Sequence, residues 1–174
     1  MYQYAIHIKD RVLNQTGDFS GRIKIQGTDG TLSFAGYGSF CKRLGAPEGI
    51  VLDEPIFEIS YKNDDYGDPL INEDHAVALK LCTRDEYNFI KQETLKINEL
   101  LKEFFLSLNL KLVDFKIEFG KTPDGEILLA DEISPDSCRL WDVETNQKYD
   151  KDVFRQDIGD LIETYKAVLA RMQK

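Results

Sequence analysis

Acid, base and acid occupy alternate positions in Leu112-Val113-Asp114-Phe115-Lys116-Ile117-Glu118-Phe119-Gly120. Strand periodicity puts Asp114, Lys116 and Glu118 on one face and Val113, Phe115, Ile117 and Phe119 on the other. Charges of both signs in one row suit the lining of a site better than a solvated strand. A second strand-like run, Glu126 to Ile133, carries Asp131 and Glu132 at its far end, and Thr122-Pro123-Asp124-Gly125 supplies a turn between the two. Paired as a hairpin, the runs bring Asp131 to the Lys116/Glu118 end, on a face set by a register that the sequence leaves open. Two or three carboxylates converging beside a lysine suit a hard cation such as magnesium holding a phosphate.

Arg139 lies in Ser134–Asp142, which reads as an irregular loop. Guanidinium geometry fits a bidentate phosphate or carboxylate. Taken alone, a surface ion pair with Asp136 or Asp142 is the simpler account, and Trp141 packs the loop down. Gly38 and Ser39 precede a short helical segment containing Lys42 and Arg43. Free backbone N–H groups, a hydroxyl and a helix start could cradle a phosphate, and an ordinary glycine-rich turn explains them equally well. His75 reads as a hydrogen-bonding loop residue rather than a base, since no carboxylate can be assigned to it. His7 sits on the polar face of a strand.

Several elements must position these groups. Residues 1–9 alternate as a half-buried strand, and Arg22–Gln26 and Thr31–Phe34 flank a Gly27-Thr28-Asp29-Gly30 hairpin turn. Pro55–Lys62 reads as another strand, and Asn72 can cap a helix starting near Glu73. Thr83-Arg84-Asp85-Glu86 is a capping box, and the helix behind it carries Tyr87, Ile90, Thr94, Ile97, Leu101, Phe104 and Leu108 as a core stripe. A last helix over residues 151–172 has Phe154, Ile158, Leu161, Ile162, Tyr165, Val168, Leu169 and Met172 on the face that covers the sheet. The expected class is α+β: an antiparallel sheet with two long amphipathic helices packed on one face, plus a small N-terminal β element.

The 174 residues suffice for one domain with a real core, at 42% hydrophobic and 30% charged. A formal charge of −9 argues against nucleic acid or an anionic membrane as partner. Cys41, Cys82 and Cys138 are odd in number and widely spaced, so free thiols in a reducing cytoplasm are expected. No signal peptide and no apolar run of spanning length is evident. A strand opening at Tyr2 makes a random truncation the less attractive account of the N-terminus.

Leu112–Gly120, Leu129–Asp136 and Cys138-Arg139-Leu140-Trp141-Asp142, together with the loop Lys62–His75, resemble SAICAR synthetase (phosphoribosylaminoimidazole-succinocarboxamide synthase). That family joins aspartate to a carboxylated imidazole ribonucleotide with ATP and magnesium. The resemblance implies ligand contacts at Gly38, Ser39, Lys42, Arg43, Asp114, Lys116, Asp136 and Arg139. It implies magnesium at Glu118 and Asp131, with Glu132 a supporting acid. Departures stand at Ser33 and Phe34, where the family carries Arg-Asn, and at Tyr37, which replaces a small residue. The family's ATP-binding lobe has no counterpart, so residues 1–35 are expected as a small antiparallel element and 36–174 as the family-like domain. Losing the nucleotide clamp removes most of what phosphoryl transfer needs. The expectation is therefore a degenerate family member with no catalytic residue. It would bind and sequester a phosphate-bearing, nucleotide-type ligand, for instance as a viral sponge for a host immune signal. The alternative is SAICAR synthetase itself, in which case ATP joins Mg2+ as cofactor. Apolar surface bared by the missing lobe implies a roof from the N-terminal sheet or a second copy, hence a homo-oligomer. The expected compartment is the cytoplasm of a bacterium or of a virus-infected host cell.

Overall fold

The computed structural model describes residues 23–28, 43–45, 52–61, 64–130 and 132–173, with 23–28 and 64 described by backbone alone. In chain order the elements are β1 (Ile23–Thr28), β2 (Phe57–Tyr61), β3 (Leu70–Ile71), α1 (Glu73–Ala78) and α2 (Arg84–Ser107). They continue as β4 (Leu110–Lys121), β5 (Ile127–Ala130), β6 (Cys138–Asp142), α3 (Asp152–Arg155) and α4 (Leu161–Met172). The strands form one sheet in the order β3-β2-β1-β4-β5, and β6 also pairs with β4. This is the expected α+β class. The expected strand over residues 1–9, and Gly38, Ser39, Cys41, Lys42 and Asp131, lie outside the described residues. Gly27 and Thr28, expected in a turn, belong to β1.

Two compact units share the chain. The first takes its described residues from 1–25, 58–92 and 117–132. Here β2 pairs antiparallel with β3 through Ile59↔Ile71 and Ser60↔Leu70. Asn72 caps α1 as expected, its side chain accepting the His75 N–H at 2.9 Å, while the Asn72 N–H donates to His75 Nδ1 at 3.4 Å. That reciprocal box gives His75 a structural task. Thr83 and Glu86 form the expected box at the start of α2, with bonds of 2.8 and 3.2 Å. The hairpin register is Glu118↔Ala130 through Lys121↔Ile127. Its turn closes with Gly125 N–H to Thr122 O at 2.9 Å, and Gly125 takes φ +88°, a conformation open to glycine at little cost.

The second unit takes its described residues from 26–57, 93–116 and 133–173. Its centre is the pairing of β4 with β6, from Leu110↔Asp142 to Phe115↔Cys138. Residues 138–142, expected as loop, are therefore a strand. Only Ser134–Ser137 is a turn, tied by Ser137 N–H to Ser134 O at 3.0 Å and Cys138 N–H to Ser134 O at 2.8 Å. A β-bulge between Leu112 and Asp114 inserts Val113 into the ladder. One extra residue lets the apolar set change parity, from Leu110 and Leu112 to Val113 and Phe115. All four are at most 2% exposed, so each contributes roughly 1.5–3 kcal/mol of burial. Thr94, Asn98 and Phe105 are the residues that α2 buries in this unit.

The single C-terminal helix expected over 151–172 is instead two. Asp157 takes φ +53°, with Ile158 N–H bonded to Val153 O and Asp157 N–H to Phe154 O, which ends α3 in a Schellman motif. Asp160 then caps α4 by accepting the Glu163 N–H at 3.0 Å. A left-handed aspartate gives none of the warning that glycine would at that position. The break also undoes the expected stripe. Val153 and Val168 are buried, whereas Phe154, Ile158 and Ile162 are 71, 59 and 66% exposed.

Asp142 ties the end of this unit together. It accepts N–H bonds from Glu144 and Thr145 and the Thr145 hydroxyl, and Arg171 Nη2 reaches it at 2.8 Å. Arg171 Nη1 also bonds the carbonyls of Leu108 and Asn109, in the turn that follows α2. Arg171 and these N–H donors hold the Asp142 carboxyl well below its ordinary range. A depressed carboxylate stabilises the fold above its unfolded pKa of about 3.9 and loses that contribution as pH falls through the folded value. Asp142→Asn should therefore lower Tm at pH 7, and its gap from wild type should begin to narrow only below about pH 4. A pH-independent gap would contradict the pairing. Burial pushes the Cys138 thiol up to about 12, so native protein should leave it unalkylated at pH 8 and denatured protein should not.

Candidate functional site

The charged strand face does become a buried one. Asp114 and Glu118 are 4 and 5% exposed, and Lys116 is half-buried. Asp114 stands opposite Arg139 in the β4–β6 ladder, so the register itself brings carboxylate to guanidinium. Arg139 Nη1 donates to Asp114 Oδ2 at 2.6 Å, and Nε donates to Asp152 Oδ2 at 2.9 Å. Arg139 is thus neither in a loop nor paired with Asp136 or Asp142. It is 7% exposed, between an acid on a strand and an acid in the first turn of α3. Burial opposes its charge, but Asp114 and Asp152 outweigh burial and hold its pKa above the ordinary value.

Three residues that the sequence did not single out complete the cluster. Asp152 is 1% exposed, and its Oδ1 is buried without a hydrogen-bond partner among the described residues. Asp150 is fully buried and accepts two backbone N–H groups, Leu140 at 2.9 Å and Asp152 at 2.8 Å. Burial pushes its pKa up to about 6, against those two bonds. Lys151 is half-buried; burial lowers its pKa and Asp136 partly restores it. An acid-base-acid triplet before a helix reads in sequence as ordinary first-turn decoration. Asp150-Lys151-Asp152 repeats the acid-base-acid order of Asp114, Lys116 and Glu118, but at consecutive rather than alternate positions.

The remaining expected site residues are more scattered. Asp136 is exposed in the Ser134–Ser137 turn, its N–H donating to Ser134 Oγ at 3.2 Å. The turn's Ser137 carbonyl accepts the Lys116 N–H at 2.8 Å. Arg43 is exposed in the one helical turn described there. Gly38, Ser39 and Lys42 lie outside the described residues.

Magnesium keeps several waters and takes one or two carboxylates beside phosphate oxygens. Glu118 is one such carboxylate, and Asp131 follows its ladder partner Ala130 in the chain. Among the described residues no three His, Cys, Asp or Glu side chains could hold a metal together. The single buried carboxylate of Glu118 is compatible with magnesium, which needs no more than one or two from protein.

An α+β sheet whose longest strand buries Asp114 and Glu118, with the Arg139 guanidinium held by Asp114 and one further acid, Asp152, is the frame of the candidate site. The family model for SAICAR synthetase matches residues 34–172, and the chain belongs to that family. The phosphoribosylaminoimidazole-succinocarboxamide synthase of Finegoldia magna is 70% identical over 136 residues, 78% of this chain and 59% of that protein. The Fusobacterium nucleatum synthase is 52% identical over 160 residues, covering 92% of this chain and 68% of its own. Among solved structures, the Ehrlichia chaffeensis synthase superposes with a TM-score of 0.81 at 39% identity, covering 90% of this chain and 65% of that one. A SAICAR synthetase in complex with ADP gives 0.80 at 40% identity, covering 97 and 77%. The chain spans somewhat over half the length of several of the curated relatives it matches. No helix among the described residues is long and apolar enough to cross a membrane.

Removing Arg139 would leave Asp114 and Asp152 buried without their cation, at a cost of about 3–5 kcal/mol. Urea denaturation of Arg139→Ala should show that loss at pH 7. A variant as stable as wild type would mean that the buried pairs do not form in solution.

Proposed function

We propose that this chain works as the larger part of a SAICAR synthetase, in the ATP- and magnesium-dependent ligation of aspartate to carboxyaminoimidazole ribonucleotide. The observation that carries this reading is the 70% identity over 136 residues to the Finegoldia magna synthase. The likeness to a synthetase in complex with ADP supports ATP as co-substrate. Both favour a ligase over a protein that sequesters a nucleotide.

On this reading the imidazole nucleotide is the ligand of Gly38, Ser39, Lys42, Arg43, Asp114, Lys116, Asp136 and Arg139, and Glu118 and Asp131 hold magnesium. No residue is assigned to bond making or breaking. Two carboxylates already offset the Arg139 charge, so Arg139 contributes direction rather than net charge. Its Nη2 makes no hydrogen bond to the described residues and is the group available to a ligand oxygen. Asp114 acts by aiming that guanidinium. The chain works as a homo-oligomer in a cytoplasmic setting, and light scattering that gave a monomer at every concentration would overturn the assembly.

The test is an assay of the 174-residue chain with carboxyaminoimidazole ribonucleotide, ATP, magnesium and aspartate, following ADP and the succinocarboxamide product. Product formed in step with ADP supports the ligase. Tight binding of the imidazole nucleotide, recovered unchanged with no ADP released, would favour sequestration instead. Arg139→Lys keeps a buried cation but not the fork that reaches both acids, so it should weaken nucleotide binding about tenfold while costing less stability than Arg139→Ala.

A further inference from the structure

Leu140 follows Arg139 in β6, and both of its backbone groups are engaged by residues 149 and 150. Its carbonyl accepts the Tyr149 N–H at 2.7 Å, and its N–H donates to Asp150 Oδ2 at 2.9 Å. Asp150 thus takes the place that a neighbouring strand's carbonyl would fill. Its other oxygen, Oδ1, accepts the Asp152 N–H at 2.8 Å. One fully buried carboxylate therefore joins the residue after Arg139 to the residue whose side chain holds Arg139 Nε. Neither bond touches Arg139, yet together they set both the strand that displays it and the acid that orients it.

We propose that Asp150 is a positioning residue for Arg139, clamping Leu140 to Asp152 and so holding the guanidinium between Asp152 and Asp114. The functional weight of the clamp rests on the ligase reading, in which Arg139 meets the nucleotide. Both Asp150 oxygens accept N–H bonds, which is the geometry of the ionised group. A proton on either oxygen removes the negative charge and weakens that oxygen as the acceptor of the N–H it already holds. The charged neighbours acting on Asp150 are Asp152, which resists its ionisation, and Arg139, which favours it, while burial is the largest influence. The clamp is therefore closed at neutral pH and loosens as pH falls through about 6, with Arg139 charged throughout.

The experiment follows the Arg139 Nε–H resonance in 15N-labelled full chain without nucleotide, assigned by its loss in Arg139→Lys. Wild type should give a slowly exchanging signal at pH 7 that shifts with a midpoint near 6. In Asp150→Asn the midpoint should vanish and Nε–H exchange should quicken about tenfold, the effect of losing one buried hydrogen bond. A wild-type signal unchanged from pH 7.5 to 5 would overturn the clamp. So would a titration that persists in Asp150→Asn, since it would belong to a group other than Asp150. The absence of a wild-type titration needs no variant to be read, so misfolding of Asp150→Asn leaves that overturning outcome in place. No ligand enters the measurement, so its failure leaves the ligase assay untouched, and an inactive chain leaves the clamp untouched.

Discussion

A guanidinium removed from water must be met by charge, and at Arg139 that need organises much of the second unit. Desolvating an ion costs several kcal/mol, recovered only when hydrogen bonds and opposite charge converge with good geometry. Asp114 arrives by the β4–β6 register and Asp152 by the first turn of α3. Asp152 is in turn placed through its own N–H by Asp150, which also secures Leu140. The strand, the return segment and the short helix are thus held to one another through a polar core as well as an apolar one. Networks of this kind impose a unique arrangement because a half-satisfied version is worse than none.

β4 makes that arrangement possible. It is twelve residues long, pairs with β6 over its first half and with β5 over its last four residues, and is buried along almost its whole length. The Val113 bulge allows apolar residues before it and alternate charged residues after it to share one strand. Without that inserted residue, either Leu110 and Leu112 or Phe115 and Ile117 would lie on the wrong face. The acids reach their burial as a consequence of strand geometry rather than of any loop.

The chain belongs to the SAICAR synthetase family and is 70% identical over 136 residues to the Finegoldia magna relative, of which it spans 59%. A buried Arg139 fits both a structural and a ligand-directed role. Two of its nitrogens are committed to the fold, and the fold thereby sets the direction of the third.

Local chemistry alone determined a good part of this protein. The alternation from Val113 to Phe119, the Thr83–Glu86 box, the Asn72 cap and the Thr122–Gly125 turn are short-range patterns, and each took the form its residues dictate. The sequence also marked Asp114 and Arg139 as functional candidates. Their contact was invisible in it, because 25 residues separate them and only the bulged register sets them opposite each other. The strand at Cys138–Asp142 was hidden for a related reason. Its polar residues are paid for by distant partners, Arg139 by two acids and Asp142 by Arg171. Likewise the break between α3 and α4 rests on a left-handed Asp157, a conformation that an aspartate does not advertise. Where a residue's state depends on its neighbours in the chain, sequence decides it. Where it depends on which distant charge desolvation brings within reach, tertiary structure decides.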